Sequence, residues 1–455
     1  MAKGTKKKET LTPEEKLRQA LIPVEEQPYP VPGNWCWVYL KGVVKEIKNG
    51  TTIKQDKSGN GYSVTRIESL QNQTIDFDRL GTIVNKELIK ASDWYNAGDI
   101  ALSHINSAEH VGKTAVITEA MLPLVHGMNL LRLRFRKVVD SKFFQYYSQT
   151  YQYKEDILAR INMAVNQVSI NQKQLASLEF PLPPLPEQQR IVDRIESLFA
   201  KLDEVKEKAQ AVVDGYEDRK AAILHKAFTG ELTANWREEK GISISSWKEV
   251  SIGEVLMSVK DKYDPLQGKK LNKPYIGLEH IEKGKGIVKK GNSADVKSLK
   301  TLFSAGDLLY GKLRPYLDKH DIASFDGLCS TDILVYRAKG NNSARFVNYL
   351  MGKTEFIEYA NSRSKGINLP RTSEKEISSY RFQLPTSEEQ KRIVQIIDEL
   401  MNTEADVRYA AQSVLDQIDT MKKSILARAF RGELGTNDPA DEPAVELLKR
   451  ALEET

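Results

Sequence analysis

The sequence predicts an α/β (α+β) fold class: two mixed α/β domains, related by a pseudo-twofold and carried on two long helices that pair with each other. Three observations lead there. A stretch near the middle of the chain returns near its end, both copies run on into one long apolar seam, and each is preceded by a block of short strand and helix signals.

The repeat comes first. Residues 182–232 align with 384–434 at a constant offset of 202, without a gap, giving 22 identities in 51 positions. The ends match best, with AFTGEL at 227–232 returning as AFRGEL at 429–434. Chance does not produce this, so the chain is a tandem duplication. The boundaries read from it are a basic tail and short helix at 1–34, a first block at 35–181, a first helix at 182–235, a second block at 236–383, a second helix at 384–434, and an acidic tail at 435–455.

Each repeated element reads as a helix. A four-three spacing places Ile191, Ile195, Leu198, Leu202, Val205, Val212 and Ile223 on one seam of the first copy. The second copy repeats it with Ile393, Ile397, Leu400, Val407, Val414, Ile418, Met421 and Ile425. An apolar residue every 3.5 positions is the signature of a coiled coil. At 1.5 Å per residue, roughly 40 residues span about 60 Å, so each helix needs a partner, and the other copy is the obvious one. The prolines of PLPPLP hold the approach extended, and Pro186 suits the first helical position. Ser387 with Gln390 has capping-box spacing, and Gly230 and Gly432 sit where a helix stops.

The blocks before the helices are faintly related to each other. AGDIALSHI at 97–105 parallels AGDLLYGKL at 305–313, and KFFQYYSQT at 142–150 parallels RFVNYLMGKT at 345–354. β-branched runs between Gly, Asn and Asp, mixed with shorter helical stretches, indicate an α/β domain of about 150 residues in each block.

Composition bounds the function. The chain has 455 residues, 40% apolar and 28% charged, with only two cysteines, Cys36 and Cys329, so neither a disulfide framework nor a cysteine zinc site is expected. The opening lysines precede no apolar stretch and no apolar run approaches a membrane span, so a cytoplasmic protein is expected. The net charge of +5 is uneven. Residues 38–180 hold 18 Lys and Arg against 14 Asp and Glu, 251–380 hold 22 against 15, and 386–455 hold 9 against 15. Two basic blocks suit a polyanion such as nucleic acid.

LPPLPEQQRIV followed by a long helix and AFTGEL, given twice with a variable block before each, resembles the specificity subunit of type I restriction-modification enzymes. LTPEEKLRQALIP, GNWCWVYL, RTSEKEISSYRFQLP and ELGTNDPADEPAVELLKRAL extend the resemblance over nearly the whole chain. It implies that the blocks are target-recognition domains, that the two helices pair antiparallel as a spacer, and that double-stranded DNA is a partner. It implies further partners: two modification subunits that methylate adenine with S-adenosylmethionine, and restriction subunits that use ATP and Mg. No cofactor is expected on this chain, and no membrane.

The residues also lack the marks of catalysis. GKT at 112–114 and 352–354 could open a phosphate loop, but the glycine required five positions earlier is Ser107 or Val347. Neither a methyltransferase tetrad nor HExxH is present, and the six histidines do not cluster at metal-ligand spacing. The expected role is to bind and position while other chains carry out the chemistry.

DNA contacts require Arg, Lys, Asn, Gln, Ser or Thr on segments that can enter a groove. The second block offers Tyr310, Lys312, Arg314, Tyr316 and Lys319 in one loop, Arg363, Lys365, Asn368 and Arg371 in another, and Lys283 and Lys285 in a turn. In the first block the candidates are Thr51, Thr52, Lys54 and Lys57, and the loop with Ser103, His104, Asn106 and Lys113. Asp99 and Asp307, which end matching strands, read as turn formers. Unlike readers on like helices imply a bipartite, asymmetric target, with half-sites near one helical turn apart, about 34–36 Å. The competing reading is a coiled-coil scaffold whose blocks bind protein.

Overall fold

The computed structural model describes residues 12–56, 60–164, 167–266 and 271–454. The chain forms two compact units, one of the residues through Lys208 together with Val414 onward, the other of Ala209–Ser413. Each therefore holds one block and part of both long helices.

In the first unit, Cys36–Tyr39 pairs antiparallel with Glu179–Leu182, so the strand that opens the block is closed by the strand that leads into the helix. Between them lies an antiparallel sheet in the order Val44–Asn49, Leu130–Phe135, Ile100–Ser103, Thr114–Val116. Helices Ser141–Tyr147 and Tyr151–Arg160 bring Phe143, Phe144, Tyr147 and Tyr153 into one core with Phe180, Ile191, Ile195, Leu426 and Phe430. The block is thus packed onto the helices through their apolar residues.

The second unit repeats this plan. Lys248–Ser251 pairs with Arg381–Leu384, and the sheet runs Leu256–Ser258, Ile333–Ala338, Leu308–Gly311, His320–Ile322. Phe346, Val347, Leu350 and Phe356 share a core with Leu224, Ile393 and Ile397. A five-stranded sheet spanning Lys262–Cys329 adds a second core around Ile276, Phe303 and Val335. At the matching sheet position of each unit a buried aspartate holds an arginine bidentately: Asp99 with Arg134, and Asp307 with Arg337, all four contacts at 2.7 Å. Each aspartate also accepts a backbone N–H three residues before it, from Asn96 and Ser304, so the turn role read from sequence is joined by a buried ion pair.

The first long helix runs Leu185–Asp214 and, after Gly215, Tyr216–Phe228; the second is continuous over Ser387–Ala429. Beside the interruption Arg219 donates to the Val212 carbonyl at 2.9 Å. In the first unit Lys422 meets Asp203 at 2.6 Å, and Ile191 and Ile195 share a core with Leu426. In the second Arg219 meets Glu404 at 2.7 Å, while the Arg408 guanidinium lies over the Tyr216 ring at 4.8 Å. Numbers fall along one strand of each pair as they rise along the other, so the pairing is antiparallel.

Three expectations are corrected. The seam is not buried throughout: Ile191, Ile195, Ile393, Ile397 and Ile418 are buried, whereas Val205, Val407, Val414 and Met421 are 38–46% exposed. Leu198, Leu202, Val212, Ile223, Leu400 and Ile425 are half-buried. The buried residues nearest the helix starts, Ile191, Ile195, Ile393 and Ile397, belong to the cores of the blocks. Pro186 is the second helical residue, because the helix begins at Leu185, and the Pro184 carbonyl accepts from the Glu187 and Gln188 amides, both at 3.0 Å. The cap of the second helix is Thr386, whose hydroxyl accepts from the Glu389 amide at 3.3 Å, one residue before the expected Ser387. Gly230 and Gly432, at φ 83° and 74°, are left-handed stops as expected.

The EQ that follows the prolines is a buried lock. Glu187 accepts from the Trp35 indole at 2.7 Å and from Asn437 at 2.8 Å. Gln188 takes the Asp140 amide at 2.8 Å and donates to the Val138 and Pro183 carbonyls. Its counterpart Glu389 accepts from the Trp247 indole at 2.8 Å, from Thr233 at 2.7 Å and from Arg237 at 2.6 Å. Gln390 takes the Ser343 amide at 2.9 Å and donates to the Pro385 carbonyl. Buried polar groups need such partners, which is why this pair returns in both copies.

Candidate nucleic-acid interface

In the second block two basic segments that lie apart in sequence fold into one surface. Arg314 donates its amide to the Pro370 carbonyl at 2.7 Å, Thr372 donates to the Lys312 carbonyl at 2.9 Å, and Lys365 and Arg371 exchange both backbone bonds at 2.9 Å. Lys312, Arg314, Tyr316, Arg363, Lys365, Asn368 and Arg371 thereby come from one two-segment platform. Asp332 lies beneath it, 3.3 Å from Arg371 and 3.8 Å from Lys312. Arg363 lies over the Tyr359 ring at 4.2 Å and 3.5 Å from Glu376. Lys365, Asn368 and Tyr316 are exposed. Neither Lys365 nor Arg314 has an ion-pair partner among the described residues, and the Arg314 Nε is buried without a hydrogen-bond partner.

Arg314 is held in the left-handed region at φ 52°, as is Asp318 at 49°, and the two bracket the short turn Pro315–Leu317. Such backbone costs roughly 1–2 kcal/mol for a residue with a side chain and is characteristic of functional loops. His320 steadies the turn, with one ring nitrogen 2.9 Å from Asp318 and the other 2.8 Å from Asn348. Burial works to raise the Asp318 pKa, but the His320 hydrogen bond and charge, with Lys220 and Lys283, hold it below the usual value.

Other candidates fall elsewhere. Tyr310 is buried in the second core with its ring stacked on His320, and burial raises its phenol pKa. Lys319 donates to the Leu278 carbonyl at 2.6 Å and braces the loop from behind. Lys283 and Lys285 are exposed in the hairpin between Ile281–Glu282 and Gly286–Ile287, and Lys285 pairs with Glu282 at 2.9 Å.

The first block builds its platform the same way. Ile170 donates to the His104 carbonyl at 2.9 Å, and Ile105–Asn106 pairs with Gln167–Ser169, which in turn pairs with Asn162–Ala164. The paired strands Asn162–Ala164 and Gln167–Ser169 escaped the sequence reading because they carry no basic residue; Asn162 and Gln167 were the available signal. Ser103 is buried, and its hydroxyl accepts from Asn106 at 3.1 Å. His104 is half-buried, and burial lowers its pKa against the opposing backbone bond to Asn129. Lys113 lines a groove of about 710 Å³ with Lys154, Lys422 and Lys423. Half-buried Thr51 and exposed Thr52 and Lys54 belong to a segment tied to His126 and Thr82 rather than to this platform, and Lys57 lies outside the described residues. Among the described residues no group of three His, Cys, Asp or Glu could hold a metal ion. Nor is any helix among them long and apolar enough to cross a membrane.

Residues 32–213 and 244–408, one stretch around each platform, match the family model of the type I restriction modification DNA specificity domain. The chain belongs to that family. Both blocks are DNA specificity domains, and the chain is the target-recognition member of a restriction-modification system. It is 30% identical over 429 residues to the putative type I restriction enzyme MjaX specificity subunit of Methanocaldococcus jannaschii, covering 89% of this chain and 94% of that one. Likewise it is 24% identical to the StySPI specificity subunit of Salmonella potsdam, covering 91% and 92%. The crystal structure of the HsdS subunit from Thermoanaerobacter tengcongensis shares the fold at TM-score 0.65 and 17% identity, covering 90% of this chain and all of that one.

Proposed function

We propose that each platform reads one half of a bipartite, asymmetric duplex target, while the long helices position two adenine-methylating modification subunits, with restriction subunits joining them in the cytoplasm. The observation that supports this most is the pair of equivalent two-segment platforms with unlike chemistry. Lys312, Arg314, Lys365 and Arg371 face the duplex from one, and His104, Asn106, Asn162 and Gln167 from the other. In this reading Lys113 and Lys283, with Thr51, Thr52 and Lys54, touch phosphate at the margins. The exposed seam residues Val205, Val407, Val414 and Met421 are then the apolar contacts for the modification subunits. The chain itself would be non-catalytic, and S-adenosylmethionine, ATP and Mg would belong to its partners.

Duplex binding measured from 50 to 200 mM salt tests the reading, since phosphate-driven affinity falls steeply with salt. Methylation-sensitive sequencing of the source genome should then show one bipartite adenine-methylated motif. Salt-insensitive binding, or methyl transfer by the isolated chain, would overturn it.

A further inference from the structure

Each platform carries, among its polar groups, a large apolar side chain that stands open. In the second block it is Ile367, fully exposed, with Leu369 half exposed two residues on; in the first it is Met163, 83% exposed on the equivalent strand Asn162–Ala164. A water-facing isoleucine at the tip of a basic hairpin is a feature that neither core packing nor solubility calls for. Its surroundings identify the occupant. Arg363, Lys365 and Arg371 flank Ile367 in sequence on both sides, and Lys365 and Arg371 are locked together by paired backbone bonds directly below the tip. The strained Arg314 is tied to Pro370, one residue past Leu369. A charged collar of this kind brings a phosphate backbone to the tip and leaves the apolar group facing the stacked bases.

We propose that Ile367, and Met163 on the other platform, are wedges that press into a base step of the duplex and partly unstack it. This inference rests on the DNA-reading function proposed above. Proteins that insert Ile, Leu or Met between base pairs kink the duplex there. Pyrimidine–purine steps open most easily, so the half-site should contain such a step beside the contacted bases. Specificity would then include a position at which no hydrogen bond is made.

The test uses the full chain and a duplex carrying the methylated motif of its source genome, with 2-aminopurine placed in turn at each position of one half-site. Modification subunits are left out, because base flipping adds its own signal. Binding of the unsubstituted chain should raise the fluorescence several-fold at one step in each half-site. Ile367→Ser should remove the rise in the half-site read by the second block and leave the other. Met163→Ser should do the reverse. Lys365→Ala, which removes charge only, should weaken binding while the complex that forms keeps the full rise. Unchanged melting temperatures, expected for exposed positions, show that the variants are folded. Binding without a rise at any position, or an undiminished rise in Ile367→Ser, overturns the wedge. Failure to bind duplex, alone or with modification subunits, overturns the DNA-reading function itself.

Discussion

The two halves of the chain rest on related helix sequences, identical at 22 of 51 aligned positions, but meet them with different chemistry. The buried carboxylate of the first lock is satisfied by neutral donors, Trp35 and Asn437, and burial prevails over those bonds to raise the Glu187 pKa. That of the second faces a guanidinium, Arg237, as well as Trp247 and Thr233. The platforms differ likewise, amides in the first and cations in the second. What duplication preserved is the attachment of block to helix; what diverged is the tip that reaches outward.

The largest test of this view compares the end of a helix with its middle. Ile397 is fully buried in the second core, so Ile397→Asp should cost about 4 kcal/mol or more, read as denaturant stability of that unit. Val407→Asp, at an exposed position, should stay within about 0.5 kcal/mol and instead weaken assembly with modification subunits. Equal losses at the two sites would mean that the middle is covered after all.

Next come the locks. Glu389→Ala strands a buried arginine and should cost about 3–5 kcal/mol. Glu187→Ala leaves only neutral donors unpaired and should cost about 1–3 kcal/mol. Chemical denaturation of both variants checks the order, and the comparison fails if Glu187 proves the costlier.

On the platforms, Arg314→Ala should weaken duplex binding by about 1–3 kcal/mol, with lost discrimination confined to one half-site. Asn106→Ala should act on the other half-site alone. Competition binding against duplexes mutated in each half separately reads this, and a shared effect would break the two-reader model.

Acid should separate the halves as well. Buried His126, with Nε2 bonded to the Leu130 carbonyl, has its pKa lowered to about 3, chiefly by burial. A lowered folded-state pKa means its contribution is present above pH 6.5 and lost as pH falls toward 3, by up to about 1.4 kcal/mol per pH unit. In the second unit the lowered groups are carboxylates, Glu355 from 4.5 and Asp318 from 3.8, so that unit should hold until pH drops below about 4.5. Hydrogen-exchange protection of Leu130–Phe135 should weaken first, and His126→Gln should flatten its pH dependence.

The duplication, both helices and their glycine stops were legible because they are local patterns of period and repeat. Three things were not. Ser103 and Tyr310 lie on strands whose four residues are all buried, Ile100–Ser103 and Leu308–Gly311, so no alternation marked one face as inward. The Asp99–Arg134 and Asp307–Arg337 pairs join strands some 30 residues apart, a contact that only the sheet order creates. The union of 312–316 with 363–371 is equally non-local, so two candidate loops were read where the fold makes one platform.

The lock also has a consequence for how such a protein can change. A tryptophan at the start of a block, a glutamate and glutamine at the start of the helix, and an amide at the start of the block's own helix form a plug and socket. None of these groups belongs to either proposed platform. A block that brings the tryptophan and the amide can be exchanged whole without redesigning the helix beneath it. New sequence preferences could thus arise by recombination between standardised parts, one half-site at a time, rather than by the slow joint adjustment of a single continuous core.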